Sequence, residues 1–194
     1  MIRHLHINTH IATGIILSMF YSFFINNDIL SIIIICCFSF LIDFDFIFSK
    51  YAKNRNHRIL PTHGITLYLI ILPFGIFNSI FYFVGLAGIF HVLMDCIDWG
   101  VGLFSPISKK IYFGILPKPP ENIINEESIR KRQCWFTLTY YNSKILLIVE
   151  VLVLILSIFL VIYVNFSFWW FYILYSLFLM VHLYSFYRCK KAKN

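Results

Sequence analysis

The stretch Ile145–Val164 carries one charged residue, Glu150, in twenty positions. About 20 consecutive apolar residues make one crossing of a bilayer's hydrocarbon core. Phe166–Tyr187 follows after a single asparagine, so the end of the chain reads as a helical hairpin in lipid. Four more apolar runs precede it: Ile11–Ile25, Ile29–Phe48, Gly64–Phe77 and Ile80–Met94. The first, third and fourth are short for a span unless they extend into their polar flanks. Charged residues make up 13% of the chain against roughly 25% in a soluble domain, which excludes a water-soluble fold. The same hydrophobicity excludes disorder, and neither a collagen repeat nor a coiled-coil pattern is present. The expected class is an all-α integral membrane protein of about six hydrophobic helices. A four-helix core carrying a polar site is followed by a C-terminal anchoring hairpin.

Charge orients the bundle. The net charge is +7, and all 16 Lys and Arg residues fall in the N-terminal tail, residues 50–58, residues 109–144 and the C-terminal tail. The turns Asn26-Asn27-Asp28, Asn78-Ser79 and Asn165 hold none. Basic residues confined to one side mark the cytoplasmic face, so both termini are expected there, in a cell or inner membrane. The same placement explains the basic charge without nucleic acid, and membrane lipids are the expected partners. The first run has the basic start of a signal peptide but no small-residue cleavage site after it, so an uncleaved helix is expected.

Three regions follow: a helical core over 1–104, a basic interfacial loop over 105–144 and the hairpin with its tail over 145–194. Pro106, Pro117, Pro119 and Pro120 break up the loop, and Asn125–Gln133 is expected as a short basic helix capped by Asn125. Trp135, Phe136, Tyr140 and Tyr141 suit the headgroup layer. The five cysteines show no CxxC spacing. Three sit in or beside apolar runs, so they read as small buried hydrophobes rather than disulfide partners.

Ionisable side chains cost several kcal/mol at membrane depth and mark functional sites. Here they gather where apolar runs meet the basic face: His10 before run one, Asp43 and Asp45 at the end of run two, His57 and His63 before run three, and His91 and Asp95 at the end of run four. Four imidazoles and three carboxylates at one level are a metal-ligand set. His91 and Asp95 lie four apart, on one face of a helix. Asp98 shares that face as an outer carboxylate. Asp43 and Asp45 either converge where the helix frays, or one binds metal while the other orients a histidine. Pro61-Thr62 suggests a helix start with Thr62 as the cap that fixes His63. His4 and His6 read as tail residues, His182 as a packed histidine, and Glu150 as the partner of a basic neighbour. Neither GxSxG nor a P-loop is present.

Thr9-His10 with Gly14, Asp43-Phe-Asp45, His57-Arg58 with Thr62-His63, and His91-Val-Leu-Met-Asp95 followed by Trp99-Gly100 and Ser105-Pro106 together resemble the YdjM-like family. These are LexA-regulated, inner-membrane proteins described as metal-dependent hydrolases. The resemblance spans roughly residues 9–114 and implies a membrane-bound hydrolase with the His and Asp positions above as ligands. One departure is Gly64, where a serine commonly follows the second histidine. The His-x-x-x-Asp pair is also similar, more distantly, to zinc-dependent phospholipase C.

Mixed His and Asp ligation suits Zn²⁺, with Mn²⁺ or Fe²⁺ as alternatives, and seven ligands suit one ion or two sharing a carboxylate. The reaction expected is metal-assisted hydrolysis of an ester or phosphodiester, with an amphiphile such as a phospholipid as substrate. Asp45 or Asp98 would serve as general base, and Arg58 would hold a phosphate through paired hydrogen bonds. A membrane protein with a structural or transported ion is the alternative. The topology is testable: single cysteines at Asn27, Asn78 and Asn165 in a cysteine-free variant should react with an impermeant thiol reagent from outside the cell. Labelling at Lys118 instead would invert the arrangement.

Overall fold

A computed structural model describes residues 7–51, 56–108, 110–124, 126 and 128–193. Arg3, His4, His6, Lys53, Arg55, Lys109 and Asn125 lie outside them. The described residues are all-helical, without a strand. Helix α1 is Ile7–Phe24, α2 is Ile29–Leu41, α3 is Ile65–Ile71 and α4 is Ser79–Ile97. The remainder are α5 (Glu121–Ile124), α6 (Ile129–Tyr141), α7 (Lys144–Val164) and α8 (Phe171–Lys193). Five segments are long and apolar enough to cross a membrane: Ile7–Phe24, Ile29–Phe48, Ser79–Ile97, Lys144–Val164 and Phe166–Ala192. The third run falls short. Its helix begins at Ile65 and tightens to 3₁₀ geometry over Leu72–Ile76, where Pro73 removes a backbone donor. At about 1.5 Å per residue it reaches only part-way through a core of about 30 Å. The first and fourth runs do extend into their polar flanks, and those flanks carry His10 and Asp95.

Helix α1 is central. Every residue from Ile7 to Ile15 is buried, and α2, α4, α7 and α8 all pack on it. Small and polar residues make this enclosure workable. A Cβ on Gly14 would overlap the Ser39 hydroxyl and the Cys36 carbonyl, so only glycine lets α1 and α2 meet this closely. Ser18 donates to the Ile32 carbonyl at 2.9 Å, and Asn8 Nδ2 donates to the Tyr175 carbonyl at 3.3 Å. The C-terminal hairpin is therefore packed into the core and is more than an anchor. Its outer faces (Ile148, Leu152, Phe159, Ile173, Leu177) remain exposed and apolar, as lipid contact requires.

The polar turns are helix caps. Asp28 caps α2 by accepting from the Ser31 amide, Asn78 caps α4 and Asn165 caps the 3₁₀ turn that leads into α8. Asn165 Nδ2 also donates to Asn27 Oδ1 at 3.1 Å, which puts the α1–α2 and α7–α8 turns at one end of the bundle. At the opposite end, residues 56–65 and 98–105 knit together. The Gly102 amide donates to the Arg58 carbonyl, the Ile65 amide to the Leu103 carbonyl and the Ser105 hydroxyl to the Ile59 carbonyl.

Two local expectations change. Helix α6 starts at Ile129, with Ser128 rather than Asn125 as its cap, and runs through the aromatic residues to Tyr141. Phe136 and Tyr140 bury against Leu116 and Leu146, because one side of this basic helix is apolar. Cys134 and Cys189 form a disulfide, whereas Cys36, Cys37 and Cys96 are free, as expected for residues inside apolar runs. A separation of 55 residues left that pairing without a spacing signal. Glu150 meets Tyr140, whose hydroxyl donates to its Oε2 at 2.9 Å. Burial and the adjacent Glu150 carboxylate push the Tyr140 phenol well above its usual pKa, so it stays a donor. Tyr140→Phe removes a buried hydrogen bond to a carboxylate and should cost roughly 1.5–3 kcal/mol, read as a lower thermal midpoint in detergent.

Candidate metal centre

Five ligating side chains point at one another at the knitted end. His10 comes from the first turn of α1, Asp43 from the 3₁₀ helix Ile42–Tyr51 that continues α2, and His63 from the short turn Pro61–His63. His91 and Asp95 come from the last turns of α4. His10 Nε2 lies 3.3 Å from Asp95 and 3.8 Å from Asp43. His63 Nε2 lies 3.2 Å from Asp95 and 3.8 Å from Asp43. His91 Nε2 is 3.6 Å from each. Ligands about 2.0–2.2 Å from a common ion are separated from one another by about 3–3.5 Å, so the spacing suits a shared cation. All five residues are at most 1% exposed. His91 Nε2 and both Asp95 oxygens are buried and meet no partner in hydrogen-bonding geometry.

Two of the three imidazoles are aimed from behind. His91 Nδ1 lies 2.7 Å from the Ser39 carbonyl, an acceptor that fixes the proton on Nδ1 and leaves the Nε2 lone pair facing the cluster. The Ser39 hydroxyl lies 2.7 Å from the His10 carbonyl and 2.8 Å from that of Cys36, tying α1 to α2 at the level of the ligands. The His10 and His91 rings stack with centroids 3.9 Å apart. His63 Nδ1 lies 2.8 Å from Asp45 Oδ2, which also accepts from the Thr62 hydroxyl. Of the two readings for the Asp-Phe-Asp pair, the geometry matches the second: Asp43 faces the cluster and Asp45 orients a histidine. The tighter 3₁₀ winding puts the two carboxylates on either side of His63.

All seven residues expected as ligands fall in two adjoining groups, His10, Asp43, His91 and Asp95 in one and Asp45, His57 and His63 in the other. His63 links them, since its Nε2 faces the first and its Nδ1 the second. The His57 ring stands edge-on to His63 at 5.2 Å. Thr62 is not the cap of α3; Gly64 takes that position, without a side-chain bond. The Thr62 hydroxyl is spent on Asp45, and its carbonyl accepts from Tyr68. Asp98 ends α4, and Arg58 grips it through both guanidinium nitrogens at 2.6 and 2.9 Å. Arg58 also reaches the Asp95 carbonyl at 3.3 Å and lies over the Trp99 ring. Arg58 and Asp98, two of the three residues expected in catalysis, are thus engaged with each other beside the ligands. Sequence reasoning missed Ser39 and the packing role of Gly14. Small residues inside apolar runs carry no chemical signature, and 25 positions separate them.

Electrostatics favour a cation. Burial alone would lower the His63 pKa, but the neighbouring Asp43, Asp45 and Asp95 carboxylates hold it well above the ordinary value. Burial likewise opposes charge on Arg58, yet Asp95 and Asp98 raise its pKa further and keep it cationic. Arg58 pairs with Asp98 and lies 3.5 Å from Asp95 Oδ1, and Asp43 and Asp95 are the carboxylates that a divalent ion would meet. No family model, curated protein or solved structure matches the chain.

Metal content checks the centre. His91→Ala and Asp95→Ala should each lower the bound metal in purified protein while circular dichroism keeps its helical signal. Asp45→Asn should weaken metal affinity about 10–100-fold, the usual effect of losing the partner that orients a ligand. Because a proton on His63 competes with the ion, affinity should rise with pH across the neutral range; a flat profile counts against His63 as a ligand.

Proposed function

We propose that the protein is a membrane-bound metal-dependent hydrolase acting on an ester or phosphodiester of an amphiphile, with a phospholipid as the favoured substrate. The observation that carries this reading is the convergence of three imidazole Nε2 atoms and two carboxylates at the mouth of the bundle. Mixed nitrogen and oxygen ligation of this kind suits Zn²⁺, with Mn²⁺ or Fe²⁺ as alternatives, and a single ion uses all five ligands. Such an ion supplies Lewis-acid polarisation and a nucleophile at neutral pH. His10, His63 and His91 hold it, with Asp43 and Asp95 supplying the charge. Asp45 has one buried oxygen outside hydrogen-bonding geometry and is the candidate general base. His57, on the outer side of His63, is where a second ion would bind together with Asp45. Arg58 can grip a phosphoryl oxygen only by releasing Asp98, so in the resting protein its role is to position the end of α4. The resemblance to the YdjM-like family belongs to this same proposal.

The second reading, a structural or transported ion, is favoured by one feature: ligands at most 1% exposed leave little open approach. Two features of the site-bearing end also point to opposite compartments. The positive-inside distribution favours the cytoplasm, whereas a disulfide at Cys134–Cys189 suits an oxidising side. The cysteine-labelling experiment decides between them.

The functional test screens phospholipid and phosphodiester substrates with wild type and His91→Ala side by side. Turnover should need metal, fall by orders of magnitude in His91→Ala and hardly change in His182→Ala. Firmly held metal with no turnover on any substrate would establish the structural reading instead.

A further inference from the structure

Two basic stretches far apart in the sequence lie side by side in the fold. Helix α6 runs antiparallel to the end of α8. Cys134 is joined to Cys189 with their Cα atoms 5.1 Å apart, and Tyr141, further along α6, meets Phe186, earlier on α8, with ring centroids 4.9 Å apart. Moving back from Cys134 therefore corresponds to moving forward from Cys189. Arg130, Lys131 and Arg132 stand just before Cys134, and Arg188, Lys190 and Lys191 flank Cys189. Arg132 is half-buried and the other five are exposed.

Like charges held this close repel, and little within the described residues offsets them. Lys131 lies 3.6 Å from Glu126 yet is 73% exposed. Glu121 is exposed on α5, which packs on α6; Asp43, Asp45, Asp95, Asp98 and Glu150 are buried, and Asp28 caps α2 at the opposite end of the bundle. The surroundings say what kind of anion fits. The exposed rings of Tyr184 and Tyr187 and the exposed Leu183 lie on α8 just before the cations, and the Arg188 guanidinium stands over the Tyr184 ring at 5.7 Å. Apolar surface, then tyrosine, then Arg and Lys is the order of a bilayer from hydrocarbon to headgroup.

We propose that the start of α6 and the end of α8 form one composite site for the headgroup of an anionic phospholipid, each helix supplying half of the cations. This rests on the membrane reading of the fold and is independent of the hydrolase reading. The buried side of α6 packs Phe136 against Trp99, 5.2 Å between ring centroids, which ties the helix that carries three of the cations to the residue after Asp98.

The test uses the full chain, reconstituted in phosphatidylcholine bilayers containing a minor fraction of phosphatidylglycerol. After mild extraction, the lipids retained are counted by native mass spectrometry. Phosphatidylglycerol should be enriched at least about tenfold over its share of the bilayer, given the attraction of clustered basic residues for anionic headgroups. Neutralising either half, by Arg130→Gln/Lys131→Gln/Arg132→Gln or by Arg188→Gln/Lys190→Gln/Lys191→Gln, should remove most of that enrichment. Combining the two should remove little more. Five of these side chains are exposed and Arg132 is half-buried, so circular dichroism should be unchanged. Independent losses that multiply would mean two separate patches and overturn the composite site. An equal loss from Lys110→Gln/Lys118→Gln would overturn it in favour of diffuse attraction to the whole basic face. Absence of enrichment, or tighter binding of a short RNA duplex than of phosphatidylglycerol, would overturn the lipid assignment.

Discussion

Two carboxylates, Asp43 and Asp95, are buried within reach of the same three imidazoles in a protein with only nine acidic residues. In an apolar surrounding this is the most demanding arrangement in the molecule, because like charges repel strongly where the dielectric is low and neither can turn to water. Shared protons or a divalent cation relieve it. The arrangement of the rest of the site-bearing end follows from holding this cluster together: α1 is enclosed, α2 ends in a tightened turn, and the segment after α4 folds back over the loop carrying His57 and His63.

The supporting contacts are backbone and small-residue contacts rather than further ligands. Gly14 lets α1 close on Ser39, whose carbonyl faces His91 and whose hydroxyl reaches the His10 carbonyl, so two ligands from different helices share one support. Arg58 performs a similar service at the other edge, binding Asp98 with a bidentate pair and reaching the last turn of α4 through the Asp95 carbonyl. A ligand held by its neighbours' backbone pays little conformational entropy when an ion arrives, which is why such outer partners influence metal affinity strongly. On the far side of Trp99, α6 is fixed by Tyr140 on Glu150 and by the disulfide to α8, and it carries part of the basic face with it.

Much of this was readable in the linear chain, for stated reasons. Apolar length alone calls for membrane-spanning helices, because a backbone in lipid must satisfy its own hydrogen bonds. Helical periodicity puts His91 and Asp95 on one face. The scarcity of ionisable residues made those next to apolar runs conspicuous, and all seven expected ligands fall in the two groups the fold assembles. What failed was local, the Thr62 and Asn125 caps, while the Arg58–Asp98 and Cys134–Cys189 pairs span distances for which the sequence offered no signal.

The sequence by itself determined which segments are apolar, where the polar turns fall and which side chains can bind metal, since these follow from composition and from periods of a few residues. Only the tertiary structure decided that the third run stops short, that Asp43 faces the cluster while Asp45 serves His63, and that Arg58 is held by Asp98. It alone brought the basic start of α6 against the basic end of α8. Each of those depends on how close two helices approach and on which neighbour a side chain meets across the bundle, and no local pattern carries that distance.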